Sequence, residues 1–549
     1  MPHPPFAAEA ASCRAAQRAW AAVPVRERLR PVAALRKLVV DRVDALAAAA
    51  HADVGRTRVE VIGTELLPVG AALRFLERSA ARTLAPRRVG RRPLWLLGCR
   101  DTIHRRPWGV VGVIGTWNYP YYLNVGPLAQ ALVAGNGVLW KPSEQAPRTA
   151  DVIARLFADA GFPPGLLTTL PATREAGPQL ADADIDYLLF TGSDGVGRKL
   201  AARLGERLIP STLELSGVDA MFVLADADVK LAARAAWFGL TINRGQTCLA
   251  VRRIFVHRSR LAEFLAELDP LLRAAAPVPL ATPGQAAQHD RLVADAVGRG
   301  ATAYPGREGG SGLLRPPRGA DVATPPPSPL PQGGRGCPRN DSSCDTVQPV
   351  MGSAPSVGAS PPFPPREGGP GGLGGSGLPA TFPVLLLDAP PDAAVCREAA
   401  FSPVGAVLPF DDVDTALSRA AASPFGLGAS VFGADTAAAA ALAARIPAGS
   451  VTVNDVVAPT AHPETPFGGR GASGWGVTQG PDGLLALTVP QVVTVRRGRF
   501  RPHVDEAVAP DPAATEDVLR GLLRASYGGW GEWWGGLRQL VRGVRRKRK

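Results

Sequence analysis

At 549 residues, with 46% hydrophobic and 20% charged content, the chain is long enough for two or three domains with large cores. No run of about 18 apolar residues occurs, so no membrane-spanning helix is expected, and Met1-Pro2-His3-Pro4-Pro5 lacks the basic and apolar segments of a secretory signal. The net charge is +13, and about half of it comes from Arg538, Arg542, Arg545, Arg546, Lys547, Arg548 and Lys549. Six scattered cysteines point to a reducing, cytoplasmic setting, and none has metal-ligand spacing, so no metal is expected.

From about Ala10 to Ala85 the spacing of Leu35, Leu38, Val39, Val43 and Leu46 predicts amphipathic helices, broken by Pro86 and Gly90. Leu94 to Pro107 reads as extended. Val110 to Gly115 is a buried parallel strand closed by glycine. After the loop Thr116-Trp117-Asn118-Tyr119-Pro120 a helix runs to about Ala134, and further strands follow at 138–142, 166–170 and 187–190, with helices at about 148–160 and after Gly197. This alternation predicts a doubly wound α/β sheet, whose ligands sit at the carboxyl ends of the strands. Asn118, Lys141, Glu144 and the Gly192–Gly197 loop fall at those ends. Strands are then expected at 212–216, 220–224 and 251–256, with helices at 229–240 and 260–276. Residues 306–377, rich in Pro and Gly, cannot bury enough apolar surface to offset their ordering entropy and read as a disordered insertion; a Pro-rich ligand for a recognition module is the alternative. Globular texture returns at Phe382, with helices at 411–421 and 436–445, strands at 429–432, 451–454 and 491–495, and a glycine-rich loop at 466–474.

The chemistry concentrates in Asn243-Arg244-Gly245-Gln246-Thr247-Cys248. The thiolate is the reactive form of a cysteine and needs a setting that creates it. Gly245 lets the backbone pass close to a ligand, which would place Cys248 at the floor of a pocket. The alternative is a buried structural cysteine.

Seven segments in order decide between these: Pro107–Ile114 with Trp117-Asn118-Tyr119-Pro120, Lys141-Pro142-Ser143-Glu144, Phe190-Thr191-Gly192-Ser193, Leu213-Glu214-Leu215, Gly245-Gln246-Thr247-Cys248 and Pro466-Phe467-Gly468-Gly469. Together they resemble the NAD(P)-dependent aldehyde dehydrogenase superfamily, most closely its class 3, fatty or coniferyl aldehyde branch. The resemblance implies a Rossmann-like cofactor domain over 1–213, with a strand near 94–107 contributing to oligomerisation. It further implies an α/β catalytic domain over 214–305 and 378–470, a return to the cofactor domain with a small β oligomerisation element over 471–497, and a tail over 498–549. It also implies Cys248 as nucleophile, Glu214 as general base and Asn118 as oxyanion donor. Trp117, Lys141, Ser143, Glu144, Gly192, Ser193, Gly197 and Phe401 would hold NAD or NADP. A small-molecule aldehyde is the implied substrate, apolar or aromatic, and a homodimer the implied assembly. A coenzyme-A-acylating relative and a catalytically faded scaffold are the rival functions. The chain departs from the family's Glu-Glu-Ile-Phe-Gly-Pro at Glu398-Ala399-Ala400-Phe401-Ser402-Pro403, so the glutamate that holds the nicotinamide ribose is replaced by Ala399.

Tyr527, Trp530, Trp533 and Trp534 precede the basic cluster. Aromatic and basic residues together suit peripheral contact with an anionic membrane. A solvated tail is the bland alternative; nucleic acid is not an expected partner.

Overall fold

The computed structural model describes residues 4–305, 380–498, 501, 504 and 510–546. The expected insertion at 306–377 lies outside them.

Apolar β-branched runs closed by glycine build the first sheet. Its six strands lie in the spatial order Gly474–Trp475, Ser211–Leu215, Tyr187–Gly192, Val110–Ile114, Gly137–Lys141 and Leu167–Thr169. All neighbours are parallel except Gly474–Trp475. Val110–Ile114 and Gly137–Lys141 are buried at every position, because helices cover both faces and no solvent side remains to alternate. The chain winds outward in one direction through Gly137–Lys141 and in the other through Tyr187–Gly192. The ligand crevice of such a sheet therefore opens beside Val110–Ile114.

Ser216–Val218 carries the chain from this sheet into a second one. Seven strands lie in the order Thr302–Tyr304, Val384–Leu387, Val404–Phe410, Val251–His257, Asp219–Val223, Gly428–Phe432 and Ser450–Val453. Only Thr302–Tyr304 is antiparallel to its neighbour. Stacked Phe222 and Phe255, with centroids 5.0 Å apart, mark its core. A third, antiparallel sheet joins Arg87–Arg88, Cys99–Pro107 and Thr488–Arg496.

Several expectations change. Leu94–Pro107 is extended only over Cys99–Pro107, while Leu94–Leu96 is a short 3-10 turn. Gly98 breaks the run: its φ is +89°, and a Cβ there would meet the Arg497 carbonyl at 2.6 Å. The central strand Val404–Phe410 and the helix Pro283–Gly298 add to the expected elements; the helix start is marked in the sequence by the Thr282–Gln285 capping box with Pro283 at its first position. The tail forms two helices, Pro512–Tyr527 and Trp533–Arg546, packed together.

Candidate active site

The turn that carries Cys248 leaves the helix Val229–Thr241 through three consecutive left-handed residues, Asn243 (φ 48°), Arg244 (φ 59°) and Gly245 (φ 71°). Non-glycine residues adopt this conformation at a cost, and side chains offset it here. Arg244 donates to the carbonyls of Val54 (3.0 Å) and Gly55. Asn243 Nδ2 donates to the Asn118 carbonyl at 2.9 Å and to the Gln246 carbonyl at 3.2 Å. Gly245 is required by close approach, since a Cβ would lie 2.5 Å from the Ser402 carbonyl carbon. Cys248 emerges buried, 9% exposed, its carbonyl accepting from Gly217 N–H at 3.1 Å.

Asn118 lies against this turn. Its Nδ2 donates to the Gln246 carbonyl at 3.1 Å, and Thr116 Oγ1 donates to its Oδ1 at 2.8 Å. The Tyr119 hydroxyl is 2.7 Å from Thr247 Oγ1. Behind them sits a fully buried ion pair. Arg56 and Glu65 approach to 3.4 Å; Arg56 donates to the Asn118 carbonyl at 2.7 Å and stacks 4.6 Å from the Tyr119 ring centroid. Glu65 accepts from the Tyr121 N–H at 2.7 Å.

Glu214 ends its strand inside the protein rather than at its surface, 3% exposed. Neither carboxylate oxygen has a partner at ordinary hydrogen-bonding distance among the described residues. A buried carboxylate without a partner is rare and calls for an explanation. The Cys248 thiol faces it, and the two perturb each other's ionisation. Burial pushes the Glu214 carboxyl up to about 7, the thiol drawing it partly back and Asp219 adding to the rise. Burial also raises the Cys248 thiol well above its ordinary value, reinforced by the negative charges of Glu214 and Asp219. The resting pair is thus a protonated thiol beside a carboxyl group that gives up its own proton near neutrality. A base with a pKa near the working pH is suited to proton transfer.

The expected cofactor residues collect at the strand ends. Lys141 and Glu144 pair at 3.0 Å, and Arg174 reaches Glu144 at 3.2 Å. Ser143 Oγ accepts from the Gln145 N–H. Gly192 closes its strand, and Ser193 caps the helix Asp194–Glu206 by accepting from the Val196 N–H. The first N–H groups of that helix suit a pyrophosphate. Gly197 serves helix packing, since a Cβ would come within 2.6 Å of Leu215. Trp117 and Phe401, both half-buried, face each other with centroids 6.3 Å apart. A cation–carboxylate pair for a ribose, a helix N-terminus for phosphates and an aromatic wall together fit a dinucleotide. Glu398 is directed away and pairs with Arg291 at the surface.

A cavity of about 530 Å³ opens onto Cys248. Leu67, Tyr122, Leu123, Phe238, Leu249 and Phe467 dominate its walls, and no Lys, Arg, Asp or Glu lines it among the described residues.

A buried thiol facing a buried carboxylate, beside a crevice that fits a dinucleotide, is an arrangement that suits a dinucleotide-dependent oxidoreductase. The chain belongs to the aldehyde dehydrogenase family, whose sequence pattern matches residues 6–318 and 368–493. It is 33% identical over 509 residues to a 4,4'-diapolycopene aldehyde oxidase of Methylomonas, covering 93% of this chain and 84% of the relative. It is 31% identical over 503 residues to a putative succinate-semialdehyde dehydrogenase [NADP(+)] of Mycolicibacterium smegmatis, with 89% and 84% covered. A Mycobacterium tuberculosis aldehyde dehydrogenase solved in complex with NAD+ superposes with a TM-score of 0.72 at 26% identity, over 90% of each chain. The protein is an NAD(P)-dependent aldehyde dehydrogenase, and it oxidises an aldehyde with NAD or NADP as cofactor.

Sequence reasoning missed Arg56, Glu65 and Arg252. Each combines a partner within ten residues with partners far along the chain, and the distant ones that fix its burial leave no local pattern.

Proposed function

We propose that Cys248 is the nucleophile of this oxidation, Glu214 its general base and Asn118 an oxyanion donor. The observation that carries this is the buried Glu214 carboxylate, left without a partner beside the thiol. Glu214 takes the thiol proton as sulfur attacks the aldehyde carbon. The Asn118 side-chain amide and the Cys248 main-chain N–H would meet the developing oxyanion, each such donor lowering the barrier by about 3–4 kcal/mol. The bound dinucleotide supplies the hydride acceptor. Lys141 and Glu144 would hold its adenosine ribose, Ser143 the turn beside that clamp, the helix after Gly192 and Ser193 its pyrophosphate, and Trp117 and Phe401 its nicotinamide end. A thioester on Cys248 remains; Glu214 passes the thiol proton to solvent, then takes a proton from the water that attacks the thioester and returns it to the departing Cys248 sulfur as the carboxylate is released. A base placed in this way favours water over coenzyme A as the acceptor.

The substrate we propose is an apolar aldehyde. The second carboxylate of a succinate semialdehyde would be desolvated in this cavity with no Lys or Arg among the described lining residues to meet it and His462 as its one imidazole. The cavity walls suit instead a hydrocarbon aldehyde of the kind named for the Methylomonas relative. NADH or NADPH production from an aldehyde panel, with and without coenzyme A, tests this for the wild type and Cys248→Ala. Turnover of the apolar members without coenzyme A, lost in Cys248→Ala, is expected. Preference for succinate semialdehyde, or coenzyme A dependence, would reject it.

The assembly we propose is a homodimer through Thr488–Arg496, an outer strand of its sheet with Val492 and Val495 more than half exposed; analytical ultracentrifugation tests it. We also propose that the tail touches anionic membrane. Among the described residues no helix is long and apolar enough to cross one, but Trp530 is 99% exposed, and Trp534 and Val541 share a groove with Arg538, Arg542 and Arg545. Flotation with phosphatidylglycerol vesicles should fail for a Trp530→Ser, Trp534→Ser double variant. Equal flotation of variant and wild type, or none of either, would reject the contact.

A further inference from the structure

Arg252, at the start of the strand Val251–His257, is 1% exposed. A buried guanidinium needs compensation; main-chain carbonyls supply its hydrogen bonds, and the buried Asp219 adds a favourable charge. Nη1 donates to Ser402 and to Val404 (3.0 Å), and Nη2 donates to Gly245 and to Ala400 (2.6 Å). Burial lowers its pKa to about 9, so it stays charged at neutral pH. Two of these carbonyls flank Phe401. Another belongs to the turn that carries Cys248, three residues before the thiol. The same two segments touch directly, because Gly245 has no Cβ to hold them apart. Residues 398–404 contain one carboxylate, Glu398, and it is committed to Arg291. Nothing ionic in that segment is therefore available to hold the nicotinamide end.

We infer that Arg252 is a positioning residue for hydride transfer: its guanidinium fixes the spacing between the nucleophile turn and the Ala400–Ser402 segment beneath the nicotinamide. The inference rests on the roles proposed for Cys248 and Phe401. Hydride transfer is steep in distance, whereas attack by the thiol on a cofactor-independent ester needs only the turn and its base. The two reactions should part company when Arg252 is changed.

The test uses Arg252→Lys and Arg252→Gln in the full chain. Arg253→Lys serves as comparison; it is equally buried but bonded to Val218 and Ala420. Three quantities are measured: KM for NAD(P)+, the primary deuterium isotope effect with a 1-deuterio aldehyde, and hydrolysis of 4-nitrophenyl acetate without cofactor. Ester hydrolysis in the wild type and its loss in Cys248→Ala check the underlying reading separately. For both Arg252 variants the KM should rise at least fivefold and the isotope effect should increase, while ester hydrolysis stays within threefold. Arg253→Lys should leave the ratio of the two activities unchanged. Parallel loss of both activities, an unchanged KM and isotope effect, or failure of both Arg252 variants to fold where Arg253→Lys folds would each overturn the inference.

Discussion

Replacing Glu214 by glutamine keeps the shape of the side chain and removes its capacity to take a proton. General-base assistance contributes about 10²–10⁴-fold, so turnover should fall by that factor, about 3–5 kcal/mol in barrier height. The stability effect has the opposite sign. The carboxyl is raised from 4.5 to about 7, so its ionised form is disfavoured in the folded state by about 3 kcal/mol. That penalty is absent below the unfolded value near 4.5, grows as pH rises from there to about 7, and is fully present above 7. Glu214→Gln should therefore melt higher than wild type at pH 8, with the difference closing as pH falls toward 4.5. The same shift sets the wild-type rate profile. The proposed base works only as the unprotonated carboxylate, so kcat/KM should fall as pH drops below about 7, and this limb should vanish in the variant. Steady-state NAD(P)H formation and calorimetry across pH 4.5–8 measure both. Turnover within threefold of wild type, or a lower melting temperature at pH 8, would refute the reasoning.

Asn118→Ala should lower kcat by about 10²–10³ through loss of one oxyanion donor, as read by steady-state kinetics; a change confined to KM would contradict the assignment. Glu65→Gln leaves the buried Arg56 charge uncompensated and should cost about 3 kcal/mol in chemical denaturation. Tyr122 carries a buried hydroxyl with no partner among the described residues. Tyr122→Phe should accordingly stabilise by about 1 kcal/mol, with turnover of apolar aldehydes retained; destabilisation would reveal a partner for that hydroxyl.

The first, six-stranded sheet was legible because its signals are local. Val110–Ile114 and Gly137–Lys141 are continuous apolar runs, and the residues at their ends are those that collect around the crevice. The second, seven-stranded sheet was less legible. In Val404–Phe410 the alternating pattern is absent because nearly every position is buried, while Gly405 and Pro409 resemble breaks. The left-handed Asn243 and Arg244 have no sequence signature of their own, since tertiary bonds to Asn118, Val54 and Gly55 sustain them. Glu65 finds the Tyr121 amide 56 residues away. In the tail, glycines are the points where the two helices touch: a Cβ on Gly521 would lie 2.4 Å from the Leu540 nitrogen, and one on Gly536 would lie 2.5 Å from the Ala525 nitrogen.

The central claim is that Cys248 carries the acyl group between oxidation and hydrolysis. Wild type, mixed with an apolar aldehyde and NAD(P)+ and quenched in acid within the first turnover, should show one added acyl mass by intact mass spectrometry. Peptide mapping should place it on Cys248, at a stoichiometry matching the first burst of NAD(P)H. A burst with an unmodified Cys248, or an acyl group on another residue, would contradict it.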